Sequence, residues 1–293
     1  MASWKSFIDY TKEKNKVVIF GPAGSCDEVV SNKMKRKEQS DFLIGLGLSA
    51  YEYPFTFGVN MNEKSKQEMI EYFSNKGFKL SVHAPYYINF ASNDPEKLKN
   101  TYKYLLDSVL KAREIGADRV VFHSGSLTNQ TREQAMENCI KNLKEFITIL
   151  DEYDIHDCYI CPETMGKHGQ IGTWQEVKQM CALDDRIIPC LDFGHINAFT
   201  LGGLSSEDKY EEIISAFVDD LKKTEIHIHF SRIEYTNKGE KKHLTLDEDS
   251  EFGPSYMEMI NSLKKFSANF RVISESNGTQ SVDSNKMQEY YKK

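Results

Sequence analysis

Residues of the types that bind metal ions recur at the ends of short apolar runs along this chain. The six residues are His83, His123, Glu163, Asp192, His229 and Glu275. Two further histidines are candidates, His195 shortly after Asp192 and His243 in the long polar segment after His229. A lone acid or histidine at such a position has ordinary structural uses, but this many together would be too polar for a plain core. Imidazole and carboxylate ligands suit Zn²⁺, Mn²⁺ or Fe²⁺, so the pattern predicts a metal site.

The apolar runs that carry these residues read as strands separated by helices. There are eight of them: Val17–Phe20, Ala50–Tyr53, Leu80–His83, Val120–His123, Tyr159–Glu163, Ile187–Asp192, Ile226–His229 and Val272–Glu275. The segments between them repeat apolar residues at helical spacing, as Ala135, Cys139 and Leu143 do. Alternating strands and helices imply a parallel sheet, and eight units favour a (β/α)₈ TIM barrel. We predict a single α/β domain over residues 1–293, with the metal-binding residues gathered on its carboxyl rim.

An open, doubly wound sheet is the alternative arrangement of the same elements. It would be expected to carry a glycine-rich dinucleotide loop after its first strand. The candidate segment, Gly21-Pro-Ala-Gly24, lacks the third glycine and the acidic residue about 20 positions further on. The barrel is therefore favoured. Residues 60–66 and 237–250 are expected to be polar loops, the second being the longest.

The composition gives expectations about the cellular compartment of the protein and about its binding partners. No stretch of about 18 uncharged apolar residues is present, so no membrane span is predicted. Residues 1–16 lack the apolar segment of a signal peptide, and we expect a cytoplasmic, monomeric protein. The six cysteines are scattered, so we expect Cys158 and Cys161 to be buried and inert. The net charge of −7 counts mildly against nucleic acid, although a local basic patch can act alone.

At its strand ends the chain resembles the endonuclease IV family of apurinic/apyrimidinic endonucleases. The matching segments are Val82-His-Ala-Pro-Tyr-Tyr-Ile-Asn89, Phe122-His-Ser-Gly-Ser126, Pro162-Glu-Thr-Met-Gly166, Cys190-Leu-Asp-Phe-Gly-His195, His229-Phe-Ser231, Lys242-His243 and Ser274-Glu-Ser-Asn-Gly-Thr-Gln280. Each segment is short, and their shared order and spacing carry the likeness. The resemblance implies a (β/α)₈ barrel that holds three zinc ions and cleaves DNA on the 5′ side of an abasic site, in base excision repair.

The resemblance also implies which residues hold each ion. The first ion would be bound by His83, His123 and Glu163, and the second by Glu163, Asp192, His229 and Glu275. His195 and His243 would bind the third. Tyr86 matches a family tyrosine that contacts DNA at the lesion.

The third ion is where the chain departs from the family pattern. Lys241 stands where the family has an aspartate, two residues before the last histidine. The third site is then weak, absent, completed by another ligand such as Glu240, or replaced by the lysine ammonium. In the last case Lys241 would stabilise the leaving oxygen, and we expect a slower enzyme or one with a different substrate.

Two carboxylates and a set of basic residues complete the expected chemistry. Glu163 would fix the separation of two ions, and Glu275 would orient or partly deprotonate the attacking water. Arg232 and Lys242 are expected to contact phosphates, since such residues bind the nucleic-acid backbone without reading its sequence. A solvated basic loop explains these cations equally well.

The main rival function is a sugar isomerase or epimerase on a similar barrel. Such an enzyme would hold one ion with Glu163, Asp192, His229 and Glu275, and its carboxylates would shuttle protons beside a sugar carbonyl. The histidines outside this quartet argue against that interpretation, because one ion does not need them. A binding module without catalysis is a third class, and it would not need metal ligands at all.

Overall fold

The computed structural model describes residues 16–247 and 251–293. In these ranges the barrel strands are β1 (Val18–Pro22), β2 (Ala50–Pro54), β3 (Lys79–His83), β4 (Ala117–Phe122), β5 (Tyr159–Pro162), β6 (Cys190–Asp192), β7 (Glu225–Phe230) and β10 (Asn269–Ser274). A hairpin of β8 (Arg232–Thr236) and β9 (Gly239–Leu244) lies between the last two. The helices are α1 (Asp27–Ser31), α2 (Arg36–Gly45), α3 (Glu63–Tyr72), α4 (Pro95–Glu114), α5 (Arg132–Glu152), α6 (Trp174–Cys181), α7 (Phe193–Phe199), α8 (Glu207–Ser215), α9 (Tyr256–Leu263) and α10 (Gln280–Tyr291).

The barrel wall consists of two parallel sheets joined at both edges. One sheet has the order β1-β10-β7-β6 and the other the order β2-β3-β4-β5. Parallel bridges from Ala23 to Glu52 and from Glu163 to Cys190 connect them. The strands therefore close on themselves, which confirms the predicted barrel and rules out the open sheet.

The helices pack their apolar faces on the outside of this wall. In α5, the predicted face of Ala135, Cys139 and Leu143 is buried. The first residues of α6 form a capping box. The Thr173 hydroxyl accepts a hydrogen bond from the backbone N–H of Glu176, as this motif requires. The core thus lies between helices and sheet, and it leaves the carboxyl rim of the barrel to polar side chains.

The segment after β7 differs from the loop that its polar composition predicts. Within the described part of residues 237–250 it forms β9, which pairs in antiparallel fashion with β8. The pairing partner supplies the reason, because β8 contains Ile233, Tyr235 and Thr236, residue types that favour strands. Residues 248–250 of the expected loop, and the N-terminal segment 1–15, lie outside the described residues.

Two expectations about the whole chain can be compared with the structure directly. All six cysteines, Cys158 and Cys161 included, are buried and unpaired. In the described ranges, no helix combines the length and apolar character that crossing a bilayer would require.

Candidate metal centre

The carboxyl ends of the barrel strands surround a cavity of about 590 Å³. Six of the eight predicted metal ligands line it, namely His83, His123, Glu163, His195, His243 and Glu275. The other two, Asp192 and His229, are completely buried just below. The structure therefore brings together all eight residues, which lie far apart in the sequence.

A first group of ligand atoms is formed by His83, His123 and Glu163. The Nε2 atoms of the two histidines lie 3.2 and 3.0 Å from Oε2 of Glu163. His83 ends β3, while His123 and Glu163 directly follow β4 and β5. Neighbouring parallel strands that end at the same height thus place three ligand atoms within 4.8 Å of one another.

A second group consists of Glu163, Asp192, His229 and Glu275. His229 Nδ1 lies 3.0 Å from Oε1 of Glu163 and 3.4 Å from Oε1 of Glu275. Asp192 Oδ2 is buried and accepts no hydrogen bond from the described residues. A buried carboxylate oxygen without a donor is costly unless a cation meets it. Glu163 belongs to both groups, one oxygen facing each, so it is placed to bridge two ions.

A third group is formed by His195, Glu240 and His243. The Nε2 atoms of the two histidines lie 3.5 and 3.9 Å from the carboxylate oxygens of Glu240. Lys241 is not part of this group, because its ammonium pairs with Glu234 and its side chain is largely exposed. The role expected for Lys241 at the third ion does not fit this geometry, whereas the alternative ligand Glu240 does.

An irregularity in β9 explains why Glu240 and not Lys241 faces the histidines. Lys242 pairs with Glu234 and Glu240 with Tyr235, so Lys241 is left as an extra residue between two pairs. Such a β-bulge shifts the alternation of the strand by one position. Glu240 and His243, three residues apart, would otherwise point to opposite faces. The bulge turns Lys241 outward and places the carboxylate beside the histidine.

Two glycines hold the hairpin close to the loop that follows β5. The backbone N–H of Glu240 donates to the carbonyl of Gly166 over 2.9 Å. A Cβ atom on Gly239 would lie 2.1 Å from that carbonyl oxygen, and its φ of 95° disfavours other residues. A Cβ atom on Gly166 would lie 2.7 Å from Cβ of Glu240 and 3.0 Å from the ring of His195. Only glycine at these positions allows the third group to form.

In three of the histidines, Nδ1 contacts an oxygen atom of the surrounding protein, and this contact orients the ring. The contacts are His83 Nδ1 to the Ala84 carbonyl at 2.9 Å, His195 Nδ1 to the Thr164 carbonyl at 3.0 Å, and His243 Nδ1 to the Ser231 hydroxyl at 2.8 Å. A carbonyl can only accept, so Nδ1 of His83 and of His195 carries a proton. Nε2 of each ring points to the cavity and lies beside a carboxylate, and a cation bound there would replace its proton. This is the arrangement that metal-binding imidazoles use.

The close packing of these groups shifts their ionisation. Burial opposes the charge of Glu163, but the surrounding histidines hold its pKa well below the usual range. Burial would lower the pKa of His83, yet its contact with Glu163 raises the pKa to about 9. Burial raises the pKa of Glu275, and nearby Glu163 adds to this effect. Protons and cations therefore compete for the same nitrogen and oxygen atoms.

The residues predicted to contact substrate lie at different distances from the cavity. Tyr86 lines it, with its ring 5.4 Å from that of His123. Arg232 donates from Nε to the Phe252 carbonyl over 2.7 Å, and Lys242 is exposed on β9. Neither Arg232 nor Lys242 is among the described residues that line the cavity, whereas Lys167 is.

One buried residue of the site escaped the sequence analysis. Glu52, in the middle of β2, is 1% exposed and lies 2.9 Å from His229 Nε2. It also lies 3.0 Å from Nε2 of His227, which is completely buried one layer below His229. A carboxylate within an otherwise apolar strand was the available signal, because such groups are rarely buried without partners.

Two other proteins are similar in sequence to this chain. An uncharacterised protein of Methanocaldococcus jannaschii is 32% identical over 263 residues, which cover 89% of this chain and 92% of that protein. A protein of Mycoplasma genitalium named probable endonuclease 4 is 33% identical over 188 residues. That match covers 62% of this chain and about half, 53%, of the relative.

Solved structures of two kinds of enzyme share the fold. A D-tagatose 3-epimerase-like protein superposes with a TM-score of 0.66 at 18% identity, covering 92% of this chain and 97% of the other. Endonuclease IV of Thermus thermophilus superposes with a TM-score of 0.64 at 16% identity, covering 94% and 99%. At such identities the likeness shows the fold alone. A family model described as xylose isomerase-like TIM barrel matches residues 41–286, and the chain belongs to this family.

Proposed function

We propose that this protein is a metal-dependent phosphodiester hydrolase that cleaves DNA on the 5′ side of abasic sites, as in base excision repair. The observation that carries the proposal is the presence of three ligand groups around one cavity, two of which share Glu163. Clustered ions of this kind are used to cleave phosphodiester bonds. The relative from Mycoplasma genitalium, named probable endonuclease 4, supports the same reaction class.

The residues present fit divalent ions by their chemistry. Each group mixes imidazole nitrogens with carboxylate oxygens, a donor set that suits Zn²⁺ and also Mn²⁺ or Fe²⁺. The buried Asp192 Oδ2 accepts no hydrogen bond from the described residues and lies 3.3 Å from His195 Nδ1, and a bound cation would offset its burial. We propose that the protein holds three ions, the third bound by His195, Glu240 and His243.

The ions, when bound, would supply Lewis acidity and lower the pKa of water at neutral pH. The protein side chains position the other participants. Glu163, 1% exposed and shared by two groups, fixes their separation. Glu275 also lines the cavity and, unlike Glu163, belongs to one ligand group only, so it can orient the attacking water by accepting its proton in a hydrogen bond. Holding the reacting groups in place in this way lowers the entropic part of the barrier.

The rim of the cavity offers surfaces suited to a nucleic acid. Tyr86 and Tyr87 are 57% and 55% exposed, and Phe57 is 78% exposed beside the cavity residue Thr56. Exposed aromatic faces stack on bases of any sequence. Lys167 at the cavity is placed to contact a phosphate, and Arg232 and Lys242 on the hairpin remain candidates for backbone contacts further out.

A sugar epimerase is the second candidate, and one observation favours it. The quartet of Glu163, Asp192, His229 and Glu275 would suffice for a single ion. A D-tagatose 3-epimerase-like protein superposes as well as endonuclease IV does. The first and third ligand groups have no purpose in an enzyme with one ion, and for this reason we favour the hydrolase.

The test incubates zinc-loaded protein with a duplex that contains one abasic site and with an undamaged duplex of the same sequence. We expect cleavage of the first duplex only, and three ions per chain by elemental analysis. Glu275→Gln, which keeps the size of the side chain, is the inactive control. Protein that holds its ions but cleaves no better than this control would refute the hydrolase. Epimerisation of a ketose such as D-tagatose with one ion per chain would establish the rival function.

A further inference from the structure

The carboxylate of Glu52 lies directly beneath the candidate metal centre, on the opposite side of His229. Its Oε1 is 2.9 Å from His229 Nε2, while His229 Nδ1 faces Glu163 and Glu275. Glu52 is thus separated from the second ligand group by one imidazole ring. Nothing in the chemistry proposed above uses this buried acid.

His229 differs from the other candidate ligands in the partner behind its ring. His83, His195 and His243 rest on neutral oxygens, two carbonyls and one hydroxyl. Carboxylates of Asp192 and Glu163 also lie 3.3 and 3.5 Å from His195 Nδ1, but both residues are candidate ligands themselves. Within this set, His229 is the histidine whose second nitrogen faces a carboxylate outside the three ligand groups. A carboxylate behind a metal-binding histidine fixes the tautomer and increases the basicity of the ligand nitrogen more than a neutral oxygen does. His229, whose partner is Glu52, belongs to the second ligand group, which also contains Glu163 and Glu275.

Three contacts from two strands, β3 and β7, surround the Glu52 carboxylate. The Ser81 hydroxyl on β3 donates to Oε2 over 2.8 Å, and His227 Nε2 on β7 lies 3.0 Å from the same oxygen. Ser81, His227 and His229 are all completely buried. The contacts to the two rings are short but depart from the ideal hydrogen-bond direction, so a small ring rotation is needed to make each a strong bond.

We propose that Glu52 is a positioning residue for the metal centre. It accepts the Nε2 proton of His229, which leaves Nδ1 bare and directed at the second ligand group. Glu52 borders the floor of the cavity, and its other oxygen accepts a hydrogen bond from Ser81 and faces His227, which directs this oxygen toward β3 and β7. The proposal rests on the metal centre of the proposed function, but it does not depend on which bond the enzyme cleaves.

A competing use of the same residues is a separate ion below the centre. Ligand atoms of Cys190, His227 and His229 lie within 4.8 Å of one another, and all three residues are buried. An ion there would have to share His229 with the second group. It would also have to take the completely buried Cys190 as its third ligand. We therefore favour the positioning role and treat the separate ion as an outcome of the test.

The test compares Glu52→Gln with the wild type in zinc titrations against a chromophoric chelator. The amide keeps the volume, but it replaces one acceptor by a donor that faces a ring N–H. We expect Glu52→Gln to bind all ions at saturating zinc, but with the zinc affinity of the second ligand group lowered roughly 10–100-fold. Losses of this size follow when a hydrogen-bond partner of a metal-binding histidine is replaced. Glu176→Gln is the matched control, because Glu176 is also a buried carboxylate but bonds Arg132 and the start of α6. It should change thermal stability without changing zinc affinity.

A second readout reports on the tautomer directly. In zinc-loaded protein labelled with ¹⁵N-histidine, His229 should show a slowly exchanging Nε2 proton, and in Glu52→Gln this proton should exchange faster. Unchanged zinc affinity in a folded Glu52→Gln protein would refute the proposal. So would an additional ion in the wild type that is lost in both Glu52→Gln and Cys190→Ser. Cleavage of the abasic duplex is measured separately, so a protein that loses zinc affinity as expected but cleaves no DNA would refute only the hydrolase.

Discussion

Neighbouring residues on β9 have different surroundings, and this difference determines how the third ligand group is completed. Glu240 lies beside His195 and His243, while the ammonium of Lys241 pairs with Glu234 on the outer side of the hairpin. A carboxylate can bind a cation and an ammonium cannot. The identity of the residue that faces inward therefore decides between a bound ion and a fixed positive charge at this point of the cavity.

Replacing Glu240 tests this assignment. We expect Glu240→Gln to lose one ion per chain, because the remaining histidines supply only two ligands to the third group. The first two groups share no residue with the third and should keep their ions. The measurement is elemental analysis after dialysis against a fixed free zinc concentration.

Lys241→Ala is the control for the Glu240 variant. The exposed ion pair with Glu234 should contribute at most about 1 kcal/mol to stability. We expect this variant to bind zinc like the wild type. A loss of one ion from Lys241→Ala, with Glu240→Gln unaffected, would reverse the assignment of the two residues.

At the scale of elements, the hairpin of β8 and β9 is the part of the site that is not barrel wall. It is pinned to the loop after β5 by the backbone bond from Glu240 to Gly166 and by a bridge from Lys167 to Gly239. The hairpin brings His243 and Glu240 to a cavity otherwise built from strand ends and α7. The third ligand group therefore depends on the docking of one element.

Gly239→Ala should undo this docking. The left-handed backbone would cost about 1–2 kcal/mol with a side chain, and the new Cβ would clash with the Gly166 carbonyl. We expect a lower melting temperature and the loss of one ion, with the other ions retained. Gly169→Ala is a matched control in the adjoining loop, since nothing lies within 4 Å of its Cβ. Equal zinc content in both variants would show that the third ligand group does not depend on the docking of the β8–β9 hairpin.

At the scale of the whole molecule, a second charged cluster lies at the amino end of the barrel. Asp118 lies 3.0 Å from Arg119 Nε and 2.8 Å from Arg271 Nη1, and Arg119 also reaches Glu225 at 3.1 Å. Both arginines are almost completely buried. The polar side chains of the carboxyl rim form the candidate metal centre, whereas this cluster joins β4, β7 and β10 at the other end of the barrel.

The amino-end cluster predicts a dependence of stability on pH. Burial opposes the charge of Asp118, but Arg119 and Arg271 outweigh it and lower the carboxyl pKa below its usual value. Since the folded pKa is depressed, the stabilisation is present above the unfolded pKa of about 3.9 and is lost as the pH falls below it. We expect Asp118→Asn to lower the free energy of unfolding at pH 7 and to reduce its fall between about pH 5 and pH 3.

The measurement is urea unfolding of metal-free protein over that pH range. Asp157→Asn is the control, because Asp157 pairs with Arg113 over 2.8 Å on the exposed surface. We expect its unfolding curves to follow those of the wild type at each pH. The free energy of unfolding of Asp118→Asn should fall less steeply toward low pH than that of the wild type. An equally steep fall would contradict the contribution of Asp118 to the pH dependence.

The amino-acid sequence alone was enough to predict the barrel and most of the candidate site. Strand ends of a parallel barrel meet at one rim, so the order of His83, His123, Glu163, Asp192 and Glu275 along the chain was enough to predict their convergence. Local periodicity likewise predicted the strands and the helix faces. These features follow from each segment's own pattern of apolar residues.

Only the tertiary structure decided which other side chains join the centre. Glu52 and His229 meet across the barrel interior, from strands that are not neighbours, so no local pattern links them. The choice of Glu240 over Lys241 depends on a one-residue bulge in β9, which reverses the faces that simple alternation assigns. Both outcomes depend on the pairing register and on distances through the core, quantities that arise only when the whole chain has folded.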